Sequence, residues 1–162
     1  MIVEVTPETL PVAGRVHALS WQASHKAFCS PEFIARNTPE SHARALAEAM
    51  ARGQRVWLLT AEGSPAGVVS VDGDLIENLY VLPELQNRGW GSALLRFALT
   101  QCGGTPVLWV LSVNEGAARL YRRFGFRETG VRHTLSASIY EYEMRLEVPA
   151  EYVSEGQSVN FL

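Results

Sequence analysis

Lysine is nearly missing from this chain. Lys26 is the only one among 14 basic residues, and the other cations are arginines. There is no basic excess either, because 17 acidic residues leave a formal charge of −3. A nucleic-acid-binding surface carries such an excess or a basic stripe, so no nucleic-acid partner is expected. Cysteine is almost as scarce. Cys29 and Cys102 cannot build a disulfide framework or a four-ligand zinc site; two buried, reduced thiols are expected, with a single disulfide as the alternative. The four histidines show no ligand spacing, so no metal is expected. No apolar run approaches the roughly 18 residues that a membrane span needs. The segment Met1–Val5 lacks the basic and long apolar regions of a secretory signal. A cytoplasmic protein with no membrane partner is the resulting expectation.

What is present is ordinary for a globular domain. The 162 residues are 47% hydrophobic and 19% charged, which fits one domain rather than several. We expect that domain over residues 1–147, followed by a tail, 148–162, without a strong period. The chain reads as a strand at Ile2–Val5, then a helix from Thr6-Pro7-Glu8 toward Ala27. Short helical signals follow at Ser30-Pro31-Glu32 and Thr38-Pro39-Glu40, where a hydroxyl can cap and proline fits the first helical position. Three strands, Arg55–Ala61, Ala66–Asp72 and Asp74–Leu82, are separated by turn residues and read as an antiparallel meander. A helix from Gly89 to Gln101, a strand from Pro106 to Val113, a helix after Asn114 and two last strands complete the order. Strand, helix and strand between Asp74 and Val113 imply a parallel pair with a right-handed crossover. The expected class is mixed α/β: a central mixed sheet of six to seven strands flanked by helices.

The most informative stretch runs from Leu79 to Ala93, where a strand enters a short turn that opens a helix. Gly89 and Gly91 stand at that opening. Free N–H groups at a helix N-terminus, with the helix dipole behind them, attract phosphate, and glycine lets a bulky pyrophosphate reach the backbone. Arg88 adds charge and Gln86 an amide. There is no Gly-Lys-Ser/Thr, which excludes a Walker A loop, and Leu94 stands where a dinucleotide fingerprint wants glycine. A tight turn that needs glycine only for packing is the alternative.

The flanking residues resemble the GNAT N-acetyltransferase superfamily. Its Gln/Arg-x-x-Gly-x-Gly/Ala signature is met by Gln86-Asn87-Arg88-Gly89-Trp90-Gly91. Its second block is met by the strand Leu108–Val113, then Asn114, then Ala117-Ala118-Arg119-Leu120-Tyr121 and Gly125-Phe126. The two blocks span roughly residues 75 to 130, and toward the N-terminus the resemblance to small bacterial members is loose. The resemblance implies acetyl-CoA as co-substrate, with the backbone amides of Asn87, Arg88, Gly89, Trp90, Gly91 and Ser92 on its pyrophosphate. It implies that the backbone of Leu79, Tyr80 and Val81 pairs with the pantetheine arm in a wedge between two splayed parallel strands. Asn114, Ala118 and Tyr121 share one side of the next helix by spacing, with Ala117, Leu120 and Phe124 as a core stripe. Tyr121 is implied to protonate the departing thiolate, the alternative being a core tyrosine. Arg122 is offered as a phosphate contact or a surface arginine.

The acceptor amine must lose a proton, and the family often uses a strand glutamate for that. Alternation places Glu77 with Leu75, Leu79 and Val81 on one face, where apolar neighbours would raise its pKa. His133, Glu141 and Glu143 are weaker candidates. Trp21, His25, Phe28, Phe33, His133, Tyr140 and Tyr142 fall where the family builds its acceptor pocket. The resulting expectation is transfer of acetyl to a primary amine of a small molecule or peptide by direct attack in a ternary complex. Another acyl donor or acceptor, or a non-catalytic acetyl-CoA sensor, is the alternative. The resemblance also suggests a homodimer.

Overall fold

Pro11 decides where the first helix begins. Without an N–H, and with a ring that would meet the carbonyl four residues earlier, proline is excluded from a helix interior. The helix expected from Thr6 therefore starts later. In the computed structural model, which describes residues 1–147, α1 spans Leu10–His25 with Pro11 in its first turn. Residues 6–9 form a turn closed by the Thr6 N–H donating to Thr9 Oγ1 at 2.9 Å. The tail from residue 148 lies outside the described residues.

The chain divides into two compact units, Met1–Gly103 and a second from Gly104 onward. In the first, β1 (Ile2–Glu4), β2 (Arg55–Ala61), β3 (Ser64–Asp72) and β4 (Leu75–Val81) pair antiparallel in sequence order. The row Val3, Leu58, Val68, Tyr80 crosses all four strands. It belongs to the face that packs, together with Val5 and Val56, against Ala13 and Val16 of α1 and Leu46 of α3 (Pro39–Ala51). Each such fully buried Val or Leu contributes roughly 1.5–3 kcal/mol. The two helices approach closely because Gly14 has no side chain: a Cβ there would lie 2.6 Å from the Cβ of Ala43. Between them, α2 (Pro31–Arg36) is capped by the Ser30 hydroxyl, and α3 by that of Thr38, as the Ser/Thr-Pro-Glu pattern leads one to expect. On the other face of the sheet α4 (Trp90–Gln101) packs, its Phe97 edge-on to Trp57.

β4 departs from simple alternation. Ser70 pairs with Asn78 but Val71 pairs with Ile76, so Glu77 is the extra residue of a β-bulge. The bulge places Asn78 and Tyr80 on the face of Val68 and Ser70, and Leu79 and Val81 with Ile76 on the other. Leu75, Glu77, Leu79 and Val81 therefore do not share a face. The period-two pattern holds only on either side of the bulge.

The second unit holds β5 (Val107–Leu111), α5 (Glu115–Arg123), β6 (Phe126–Thr134) and β7 (Tyr140–Leu146). β7 pairs antiparallel with both β5 and β6. The burial of β5 alternates: Leu108 and Val110 are buried, and Val107, Trp109 and Leu111 only half so. Leu108 and Val110 join Tyr142, Met144 and Phe126 in this unit's core. Among the described residues, seven strands and flanking helices make the mixed α/β architecture read from the sequence. No helix among the described residues is long and apolar enough to cross a membrane.

Candidate active site

The turn between β4 and α4 begins as a short 3-10 turn, Pro83–Leu85. Asn87 (φ 60°) and Gly89 (φ 86°) then take left-handed backbone conformations. This aims the chain into α4, whose first bond runs from the Ala93 N–H to the Gly89 carbonyl at 3.0 Å. The N–H groups of Trp90, Gly91 and Ser92 precede that bond, so helix geometry gives them no intrahelical acceptor. A Cβ built on Gly89 meets nothing within 4 Å. The glycine is thus required by conformation and leaves open space beside the amides, which is not what a packing role would need. Residues 86–89 are exposed. Such a loop can hold an anion on its backbone, with the α4 dipole in support.

Gln86, expected at the cofactor, also braces the loop. Its Nε2 donates to the Val81 carbonyl at 3.1 Å, which ties the loop to the end of β4. Tyr80 turns its ring toward α1, edge-on to His17 at 4.9 Å, and burial pushes its phenol up to about 12. That phenol stays protonated at neutral pH, and only the Tyr80 backbone is available for the strand pairing expected of residues 79–81.

In the second unit Asn114 caps α5, its Oδ1 accepting from the Ala117 N–H at 3.1 Å. Ala118 and Tyr121 are the buried residues of this helix, and the Tyr121 ring lies 6.0 Å from that of Phe126. Ala117, Leu120 and Phe124, expected as the core stripe, are only half-buried. The inward face of α5 is thus the one that carries Tyr121. Arg122 is engaged in an ion pair with Glu128 at 3.5 Å.

Glu77, on the bulge, is exposed. Cys29 and Cys102 are free thiols, half-buried rather than buried. Burial, with the charge of Asp74, pushes Cys102 up to about 11, which leaves it unreactive.

Four of the residues expected at the acceptor end come together in the first unit. Trp21 stacks on His25 at 4.1 Å and meets Phe33 edge-on at 5.9 Å, and His25 lies 5.2 Å from Phe28. This ladder continues into two residues that sequence reasoning missed. His42 is 5.7 Å from Trp21, and its Nδ1 lies 2.6 Å from Nδ1 of His17. Pattern alone could not pair a histidine of α1 with one of α3. In the second unit His133 stacks on Trp109 at 4.3 Å and points Nδ1 at Glu141, 3.3 Å away. Tyr140 lies under the Arg132 guanidinium at 4.6 Å, and Tyr142 is buried.

The fold is that of the GNAT class. Residues 52–128 match the family model described as acetyltransferase (GNAT) domain. Its structure is similar to that of the PaiA N-acetyltransferase from Thermoplasma acidophilum, solved in complex with coenzyme A. The TM-score is 0.71 and the identity 17%, over 91% of this chain and 98% of that one. It is also similar to the ribosomal-protein-S18-alanine N-acetyltransferase from Escherichia coli (TM-score 0.66, 23% identity, 90% and 92% covered). The ribosomal-protein-alanine N-acetyltransferase from Brucella melitensis is a third such structure (TM-score 0.66, 17% identity, 91% and 99% covered). No curated protein matches the chain by sequence.

Proposed function

We propose that this protein transfers the acetyl group of acetyl-CoA to a primary amine of a small molecule or peptide, by direct attack within a ternary complex. The observation that carries the reading is the Gly89 turn: a left-handed glycine with open space beside it and three helix-start amides behind it. The amides of Asn87 to Ser92 hold the pyrophosphate, and the Leu79–Val81 backbone orients the pantetheine arm and polarises the thioester carbonyl. Tyr121 then gives its phenolic proton to the thiolate as the carbon–sulfur bond breaks. A phenol near pKa 10 and a thiol near 8.5 are close enough to share that proton in the transition state. Acetyl-CoA supplies the activated acyl group, so the chain needs no nucleophile of its own. Cys102, protonated at neutral pH, is not suited to be one.

Calorimetry with acetyl-CoA, followed by turnover against a panel of amino acids, polyamines and peptides with free N-termini, tests the reading. Tyr121→Phe is expected to lose about a hundredfold or more in kcat, the usual scale of general acid catalysis, with acetyl-CoA affinity near wild type. Unchanged turnover in that variant would remove Tyr121 from the mechanism. Saturable binding without turnover of any amine would make the protein an acetyl-CoA sensor.

A further inference from the structure

The acetyl-transfer reading leaves the acceptor open between a small molecule and a peptide. We propose that the acceptor is a peptide, and that Trp21 and Phe33 receive an apolar side chain a few residues behind its N-terminal amine; the assignment rests on that reading.

The aromatic ladder of the first unit has its inner end at Tyr80, whose backbone lies in the stretch proposed to face the thioester. The Tyr80 ring meets His17 at 4.9 Å, and His17 meets His42 at 4.8 Å. His42 meets Trp21 at 5.7 Å, and Trp21 meets Phe33 at 5.9 Å. All five residues, like β4 itself, belong to Met1–Gly103, so the ladder runs within one compact body. Its exposure is graded. The middle, His17 and His42, is buried, Tyr80 and Trp21 are half-buried, and Phe33 is 46% exposed. Two accessible ends are thus joined through a closed centre. The outer end is held in place from several sides. One face of Trp21 is covered by His25, at 4.1 Å and 14°. The Gln22 amide donates to the Asn37 carbonyl at 2.6 Å, which ties α1 to the end of α2, and the Asn37 amide donates to the Phe33 carbonyl at 2.9 Å. Rings fixed before a ligand arrives lose little freedom when it binds, so the apolar surface they still expose is available for affinity.

Charge and length select the occupant. Burial holds His17, His25 and His42 below the usual imidazole range, so the rings are neutral at pH 7. The hydrogen bonds of these histidines go to one another, to Ser24, to Asn37 and to the Trp21 carbonyl, and none goes to a carboxylate. Exposed Lys26, Glu32 and Arg36 flank the ladder in sequence and leave no net negative charge there. A polyamine laid along it would leave its further ammonium groups without an anion, whereas neutral rings accept an apolar or aromatic side chain. The straight line from Phe33 to Tyr80 cannot exceed the four ring-to-ring steps between them. An extended peptide advances about 3.3–3.6 Å per residue, so a side chain within about six residues of the amine reaches Phe33. A peptide is therefore long enough to use both ends of the ladder at once.

The test uses the full chain, acetyl-CoA and alanine–serine peptides with a free N-terminus, in which a phenylalanine is moved along the positions behind the first residue. At one position it is expected to raise kcat/KM roughly tenfold over the parent peptide, through KM, the scale of a well-placed aromatic contact. Lysine at that position brings no gain. Phe33→Ala, at an exposed site that the fold does not depend on, is expected to raise KM for the favoured peptide by the same factor with kcat near wild type. Phe33→Tyr is expected to restore the preference. A profile flat across every position overturns the assignment, as does a Phe33→Ala enzyme that keeps the preference. A polyamine or a single-ring arylalkylamine turned over faster than the best peptide overturns it too. Wild-type silence toward every amine and peptide, with acetyl-CoA still bound, strikes instead at the acetyl-transfer reading and removes the basis of the inference with it.

Discussion

Two histidine pairs, one in each unit, sit in contrasting surroundings. His17 and His42 meet in the interior, 9% and 8% exposed, with their Nδ1 atoms 2.6 Å apart. The direction of that hydrogen bond can be worked out from its far end. Asn37 Nδ2 donates to the Phe33 carbonyl, which turns Asn37 Oδ1 toward His42 Nε2. His42 therefore carries its hydrogen on Nε2 and accepts at Nδ1 from His17. His17 Nε2 is left as a buried lone pair with no hydrogen-bond partner among the described residues. His133 has the same bare Nε2, but on an exposed ring and with a carboxylate at its back. One lone pair is sealed in the core and the other faces solvent beside an anion. The first pair is closed to water and the second open to it, although both consist of a histidine held at Nδ1.

Acid should separate the two most sharply. Burial pulls His17 down to about 4, against a smaller opposing effect of Asn78, and a charge on His42 lowers it further. Unfolded, the same ring titrates near 6.5. Between those values the unfolded chain binds the extra proton, so stability rises with pH across this window. The contribution is fully present above about pH 6.5 and is lost as pH falls through 4. Its size is about 3 kcal/mol, at 1.36 kcal/mol per pKa unit. Urea unfolding at pH 7 and pH 4 measures it. A pH dependence unchanged in His17→Leu would show that the pair is not its source.

Breaking the buried pair from one side should come next. His42→Leu leaves the His17 Nδ1–H without an acceptor, a cost of about 1–3 kcal/mol. Replacing both by leucine removes the orphaned donor, so the double variant should be less destabilised than the two singles summed. Additivity in that cycle would mean that the 2.6 Å contact carries no coupling.

How far these features were legible in the sequence follows the same division. The strand and helix order, the Asn114 cap and the Gly89 turn were readable because each depends on local chemistry: a capping side chain, a glycine conformation, a period. The late start of α1 was readable in principle, since Pro11 is in plain sight, but Pro7 gave an equally good local signal and tertiary context chose between them. The bulge at Glu77 left no trace, because it arises from the mismatch of β3 against β4 rather than from either strand. The His17–His42 contact depends on how α1 and α3 pack over Gly14 and Ala43, a distance of 25 residues along the chain. The His133–Glu141 pair needed the β6–β7 register, which an irregularity between Glu128 and Arg132 shifts. Chemistry that depends on one element is visible in one element. Chemistry that depends on register or packing waits for the structure.

The smallest expected effect completes the contrast. An exposed ion pair is worth about 0–1 kcal/mol, because water screens it and two side chains lose freedom in forming it. His133→Gln should therefore change unfolding free energy by less than about 0.5 kcal/mol, the ordinary range for a surface substitution. Denaturant titration resolves that bound. A loss of several kcal/mol would mean that the stack on Trp109 holds the β6–β7 hairpin together. A change within the bound, set beside the acid sensitivity of the buried pair, places the difference in what surrounds the second nitrogen of each ring.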